Sequence, residues 1–190
     1  MFEIIKMYDK NLLLFINSNH NSFLDLIFWQ MSNNWPTILF VVTFGFFFYK
    51  KFKLKNLLSM LLGVGIVIAC CDLSSNVIKH SVKRFRPTHN MELKEKIHIV
   101  NNYRGGNYGF VSSHAANSFG IITYLFFCAS WLTKKKKILF FIYPLIVVYS
   151  RIYLGVHYPS DVIGGAIIGL IFGNIIFKLI ERYFFKSIHG

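Results

Sequence analysis

Apolar residues along the chain gather into long continuous runs separated by short clusters of lysine. The first run, residues 37–49, ends in Lys50, Lys51, Lys53 and Lys55. A membrane-crossing helix needs ~20 apolar residues, so this span has to borrow from the residues before Trp35. Further spans are predicted over residues 56–79, 113–133, 138–153 and 159–177, with Pro144 kinking the fourth and a polar tail at 181–190. Residues 1–20 mix Glu3, Lys6, Asp9 and Lys10 with Ile4, Ile5, Tyr8, Leu12 and Phe15, the pattern of an amphipathic helix lying at the interface. Residues 22–34 read as a second interfacial piece, with Trp29 and Trp35 at headgroup depth. A continuous helix running through Pro36 is the alternative. The predicted fold class is all-α: a polytopic membrane helix bundle of about five transmembrane helices plus an N-terminal interfacial helix, in one domain.

Composition agrees with that pattern. The chain is 54% hydrophobic, above the ~45–50% apolar share of soluble domains. A net charge of +13 would suggest nucleic-acid binding in a soluble protein. Here many lysines lie in short turns between apolar runs, so the charge reports topology and no nucleic-acid partner is expected. The lysine turns 50–55 and 134–137 fall on one side, which the positive-inside tendency makes cytoplasmic. The connections 80–112 and 154–159 then face the periplasm or exterior. The acidic residues near the N-terminus and the lack of a basic leader predict no cleavable signal peptide. Cys70, Cys71 and Cys128 lie inside apolar runs with no zinc or disulfide spacing, and read as small buried hydrophobes. Gly165, Gly169 and Gly173 recur every four residues in the last span, a face on which a neighbouring helix of the same chain can approach closely.

Polar residues with chemical potential collect at three places on the predicted outer side. Asp72, Ser75, Asn76, Lys79 and Lys83 recur at three- and four-residue steps and are expected to line one stripe of the second span. That helix should fray at Arg86, because the residue before a proline is biased away from helix. Lys83 and Arg84 can equally serve as interfacial cations reaching for lipid phosphates. Second, Ser112 or Ser113 can cap the third span, whose free N–H groups form a phosphate cradle, with His114 in its first turn. Third, Arg151, His157 and Asp161 precede or open the last span, with Pro159 suited to a first helical position. A carboxylate four residues after an imidazole can hold one ring nitrogen and free the other as nucleophile or general base. Arg151 suits a planar anion such as phosphate. His157 and Asp161 also have metal-ligand spacing, but Arg151 and Lys79 would repel a cation, so neither metal nor cofactor is expected.

Lys79-x6-Arg86-Pro87, Ser112-x-His114 and Ser150-Arg151-x5-His157-x3-Asp161 together resemble the type 2 phosphatidic acid phosphatase superfamily, which includes membrane lipid phosphatases and vanadium haloperoxidases. The resemblance runs from about residue 72 to 169. One position departs from it: Ser113 stands where the family usually has glycine in a proline-serine-glycine-histidine motif. The resemblance implies that His157 is a nucleophile forming a phosphohistidine, held by Asp161, and that His114 protonates the leaving group and then activates water. Lys79, Arg86 and Arg151 would hold the phosphoryl oxygens with Ser112, Ser113 and the helix N–H groups. It also implies a lipid phosphate or diphosphate substrate; undecaprenyl diphosphate, phosphatidylglycerol phosphate and lipid A phosphate are all compatible. Arg104, Lys83 and Arg84 are expected to grip a second phosphate. The expected location is the cytoplasmic membrane, with the site on its outer face. The alternatives are a non-catalytic lipid-binding scaffold and a vanadate-dependent haloperoxidase.

Overall fold

A computed structural model describes residues 2–184, and among them every regular element is helical. Eight α-helices follow in order: α1 (Phe2–Ser18), α2 (Ser22–Met31), α3 (Trp35–Lys51), α4 (Leu54–Val82), α5 (Ser113–Cys128), α6 (Lys134–Ile138), α7 (Ile142–Tyr153) and α8 (Pro159–Phe184). Two 3₁₀ turns, Pro87–His89 and Leu139–Phe141, and one isolated bridge between Phe85 and Tyr108 complete the regular structure. Of these helices, α4 and α8 are long and apolar enough to cross a bilayer.

The bundle is centred on α5 packed against α8 and flanked by α4. Glycine makes the α5–α8 contact possible. A Cβ on Gly169 would lie 2.3 Å from the Ala116 carbonyl oxygen, and one on Gly173 would lie 2.5 Å from that of Gly120. The glycine face of α8 therefore packs inside the chain, as its spacing predicts. On the opposite side of α8, Ile163, Ile167, Ile171, Ile175 and Leu179 are exposed at four-residue steps. Such a stripe suits contact with the hydrocarbon of a bilayer. Phe44, Phe48, Met60, Val67, Tyr124 and Leu125 fill the core toward the lysine-rich end. Leu13, Ile97, Ala115, Ile152, Tyr158 and Val162 form a second cluster under α1 at the opposite end.

Several boundaries differ from those expected. The first span does not borrow from the residues before Trp35: the chain turns at 32–34, and Pro36 starts a new helix rather than continuing α2. As a result α3 has 17 residues, or ~26 Å at 1.5 Å per residue. The third span stops at Cys128 rather than Thr133. Pro144 falls in the first turn of α7, directly after the 3₁₀ turn Leu139–Phe141 that separates α7 from α6, so the helical path is interrupted just before the proline. The tail at 181–184 continues α8, and 185–190 lie outside the described residues. Finally, α1 is more than a surface float: Leu13, Asn17 and Asp9 are buried beneath it, while Met7, Tyr8, Leu12 and Phe15 stay exposed.

Candidate active site

The three sequence clusters meet at one end of the bundle because four helix termini meet there. The first terminus is the C-terminal end of α4. It closes at Lys83, which takes a left-handed conformation (φ 52°) and donates its N–H to the Lys79 carbonyl at 2.9 Å. The helix thus ends three residues before the expected fraying point at Arg86. Lys83 leaves the inward stripe and is exposed, as is Asn76, which lies ~60° around the helix from Lys79. Arg86 is extended ahead of Pro87. Its Nε donates to the Tyr108 carbonyl at 3.2 Å, and Gly105, in the left-handed region at φ +67°, leaves room for its guanidinium.

The N-terminal end of α5 is capped by Ser112, whose Oγ accepts the Ala115 N–H at 3.4 Å. The Ser112 N–H donates to the Asp161 carbonyl at 2.9 Å, which ties α5 to α8. At the N-terminal end of α8, Pro159 holds the first position as its fixed φ favours, and the Asp161 side chain accepts the Tyr158 N–H at 3.0 Å. Arg151 occupies the last turn of α7, and the tight turn at Gly155 (φ 69°) carries the chain from there to His157.

All eight predicted site residues come to this end. Arg151, His157 and Asp161 are almost fully buried. Burial, and after it the positive charges of Arg86, Arg151 and Lys79 that converge on His157, push its imidazole well below the ordinary 6.5. The neutral ring is therefore the resting form. Its Nδ1 faces Asp161 Oδ2 at 3.5 Å, an orienting contact longer than a formed hydrogen bond. Arg151 donates from Nη2 to the Tyr103 hydroxyl at 3.0 Å, yet its buried Nε has no partner, and the same is true of Arg86 Nη1. Lys79 Nζ donates to Ser113 Oγ, so the serine that replaces the family's glycine tethers one of the cations. His114 faces a small cavity of about 120 Å³ that it shares with Arg151, Tyr103, Asn33 and Asn34.

Three cations with no carboxylate ion-pair partner among the described residues, two of them with an unsatisfied buried N–H, form an anion site. The carboxylate nearest to His157 does not neutralise them, because its charge is taken up elsewhere. Asp161 Oδ1 accepts from Arg84 Nη1 at 2.8 Å, and Arg84 Nη2 donates to Asp9 at 2.7 Å. This corrects the expectation that Arg84 grips a second phosphate: it is already bound by two carboxylates and stacks 4.0 Å from the Tyr158 ring. Asp72 forms no ion pair with Lys79 or Arg84; it accepts from Asn117 Nδ2 at 2.9 Å. Lys83 and Arg104 are exposed.

Sequence reasoning missed Asp9, Tyr103, Asn33 and Asn34. The first lies on a helix read as interfacial, the others in loops without a motif, and only the fold brings them here. A separate trio, His20, Asp25 and His98, holds possible metal-ligand atoms within 4.8 Å of one another, among residues the anion site does not use. Asp25 and His98 already bond each other at 3.0 Å, which ties α2 to the long connection.

A helical membrane bundle with a buried anion site at its helix ends narrows the class of protein, and residues 53–185 match the PAP2 superfamily. The chain belongs to that superfamily. A lipid A 4'-phosphatase of Porphyromonas gingivalis is 33% identical over 180 residues, 93% of this chain and 75% of that protein. A lipid A 4'-phosphatase of Bacteroides thetaiotaomicron is 34% identical over 189 residues, 96% of this chain and 80% of that protein. The crystal structure of a transmembrane PAP2-type phosphatidylglycerolphosphate phosphatase from Bacillus subtilis shares the fold, with a TM-score of 0.71 over 95% of this chain and 88% of that one, at 21% identity. The chain is accordingly a membrane phosphatase, and the scaffold reading falls away.

Proposed function

We propose that the protein hydrolyses a lipid phosphate of the lipid A type through a phosphohistidine on His157, at the outer face of the cytoplasmic membrane. The observation that carries this reading is that buried Arg151 and half-buried Lys79 and Arg86 converge on a neutral imidazole, with Arg151 Nε and Arg86 Nη1 unsatisfied. A phosphoryl group supplies the missing acceptors and charge, and neutralising its oxygens is the main demand of phosphoryl transfer. The lipid A preference rests on the two relatives aligned over more than nine-tenths of the chain.

In the first half-reaction His157 Nε2 attacks phosphorus in line, the bond from phosphorus to the lipid oxygen breaks, and His114 gives that oxygen a proton. Asp161 orients the ring through Nδ1 and balances the charge it acquires. In the second, His114 takes a proton from water as the water attacks phosphorus, the phosphorus–nitrogen bond breaks, and inorganic phosphate leaves. The helix N-terminus at Ser112 and Ser113 and the three cations hold the phosphoryl oxygens throughout. No step requires a metal. The lysine turns at the opposite end of the bundle support the outward orientation of the site.

The test is phosphate release from lipid A 4'-phosphate, phosphatidylglycerol phosphate and undecaprenyl diphosphate by detergent-purified protein in EDTA. Wild type should release phosphate fastest from the lipid A substrate, and His157→Ala should lose ~10³-fold or more. Equal release by His157→Ala, with the fold intact, would refute the phosphohistidine mechanism.

A further inference from the structure

Beside the anion site lies a second cavity of about 380 Å³, walled by α3, α4, α5 and α7. It opens on the His114 and Ser113 side chains, and its remaining polar lining comes chiefly from Asn33, Asn34, Asp72 and Asn117. Its size falls within the ~300–1,000 Å³ range of small-molecule sites. We infer that this chamber binds the leaving group of the reaction, and that the group it takes is a hydroxyl-bearing sugar ring.

This inference rests on the phosphatase reading above, since it is His114 that places the leaving oxygen at the chamber's mouth. The choice of ligand follows from the hydrogen-bonding valence of the wall. Asn117 Nδ2 is spent on Asp72 Oδ1 at 2.9 Å, while Asn117 Oδ1 is buried and has no partner. One wall therefore offers acceptors: the Asn117 carbonyl and the second oxygen of Asp72. A second phosphate, itself an acceptor and an anion, is repelled there. A polyprenyl chain would leave Asn117 Oδ1 without a partner, at the full cost of an unsatisfied buried group. A hydroxyl or an amide N–H fits both oxygens.

The facing wall is amide. Asn34 precedes α3 but its side chain caps no N–H of that helix, and Asn33 donates from Nδ2 to the Trp29 carbonyl at 3.2 Å; both residues line the cavity. Ile38, Ile68, Ile121 and Val147 lie between the polar walls. Polar groups on two opposed sides with apolar contact between them match a pyranose, whose hydroxyls project around its edge and whose faces are C–H. An ionisable residue within a membrane helix is costly unless a partner or a function keeps it. Asp72 gains both, from Asn117 and from the sugar. The same Asn33 and Asn34 also line the small cavity at Arg151, so the turn between α2 and α3 spans the phosphate and its leaving group.

The experiment compares kcat/KM of wild type, Asn117→Leu and Asn117→Ala on three lipids: lipid A 4'-phosphate, phosphatidylglycerol phosphate, and phosphatidic acid, whose leaving group carries no free hydroxyl. Leucine keeps the bulk of Asn117 and removes its acceptor. Both variants should lose about tenfold or more on the sugar lipid, with phosphatidic acid hydrolysis changed by no more than about threefold. Equal losses on all three lipids would overturn the chamber, since the defect would then be in the phosphoryl site or the fold. An unchanged rate on the sugar lipid would overturn it directly, and a loss confined to phosphatidylglycerol phosphate would overturn the sugar in favour of a glycerol. No release by wild type from any of the three would overturn the phosphatase reading and this inference with it.

Discussion

Arg84 is the residue whose replacement most directly tests the site as described. Its guanidinium donates to Asp161 Oδ1 at 2.8 Å, to Ser160 Oγ at 2.6 Å and to Asp9 Oδ2 at 2.7 Å. Asp161 is 0% exposed and Asp9 5%, while Arg84 itself is 25% exposed. Arg84→Met keeps the stem and removes the charge, which leaves two buried carboxylates facing each other across Ser160. Removing one partner of a buried ion pair costs ~3–5 kcal/mol. For a chain of this length each kcal/mol is worth ~2–4 °C, so Tm should fall by ~6–20 °C. Asp161 keeps the Tyr158 N–H but loses its fixed position beneath His157. Losing a partner that orients a catalytic group typically costs ~10–100-fold, and that loss should appear in kcat with KM little changed. The assay is thermal unfolding in detergent followed by tryptophan fluorescence, beside initial rates of phosphate release. Adding Asp9→Asn removes one of the stranded charges and should recover part of the Tm without recovering the rate. A Tm within ~1 °C of wild type would refute the ion-pair accounting. A normal Tm shift with an unchanged kcat would refute the link from Arg84 through Asp161 to His157.

Four other outcomes are expected. Gly169→Ala puts a methyl group 2.3 Å from the Ala116 carbonyl oxygen and 2.7 Å from the Gly120 nitrogen, and should destabilise the bundle by ~1–3 kcal/mol in thermal unfolding. Gly65→Ala, with nothing within 4 Å of the added carbon, should be neutral or stabilising by up to ~1 kcal/mol. Ser113→Gly restores the family's residue but removes the Lys79 tether; hydrogen bonds to charged groups are worth ~1.5–3 kcal/mol, so kcat/KM should drop about tenfold or more in initial-rate measurements. The depressed His157 pKa, caused by burial and then by Arg86, Arg151 and Lys79, keeps the attacking ring neutral well below pH 6.5. The acid limb of kcat/KM should therefore lie below pH 6.5. On acidification the unfolded chain takes up this proton first, so His157 makes stability fall as pH drops below about 6.5. An acid limb at or above 6.5 would count against a buried neutral nucleophile.

The membrane class, the clustering of chemistry at one end of the bundle and the eight residues at the anion site were legible in the chain, for reasons that are local. Twenty-residue apolar runs, lysine turns, a proline at a helix start and the spacing from His157 to Asp161 each act within a few residues along one helix. The glycine face of α8 was readable in the same way. Helix ends were less so. Where α4 stops depends on the left-handed cap at Lys83, and whether α2 continues into α3 depends on a turn that competing hydrogen bonds at Ser32 and Asn33 stabilise. Neither has a periodic signature. What only the tertiary structure decided is which charges cancel. Arg84, Lys79 and Arg86 lie on one short stretch and look alike in sequence. Asp9, 75 positions from Arg84, neutralises the first once α1 docks, and among the described residues no carboxylate forms an ion pair with the other two. That difference separates a structural arginine from the two cations proposed to hold phosphate. It is also why Asn33 and Asn34, which carry no motif, come to face His114: the cavity they line is a space between four helices, and no single stretch of chain encodes it.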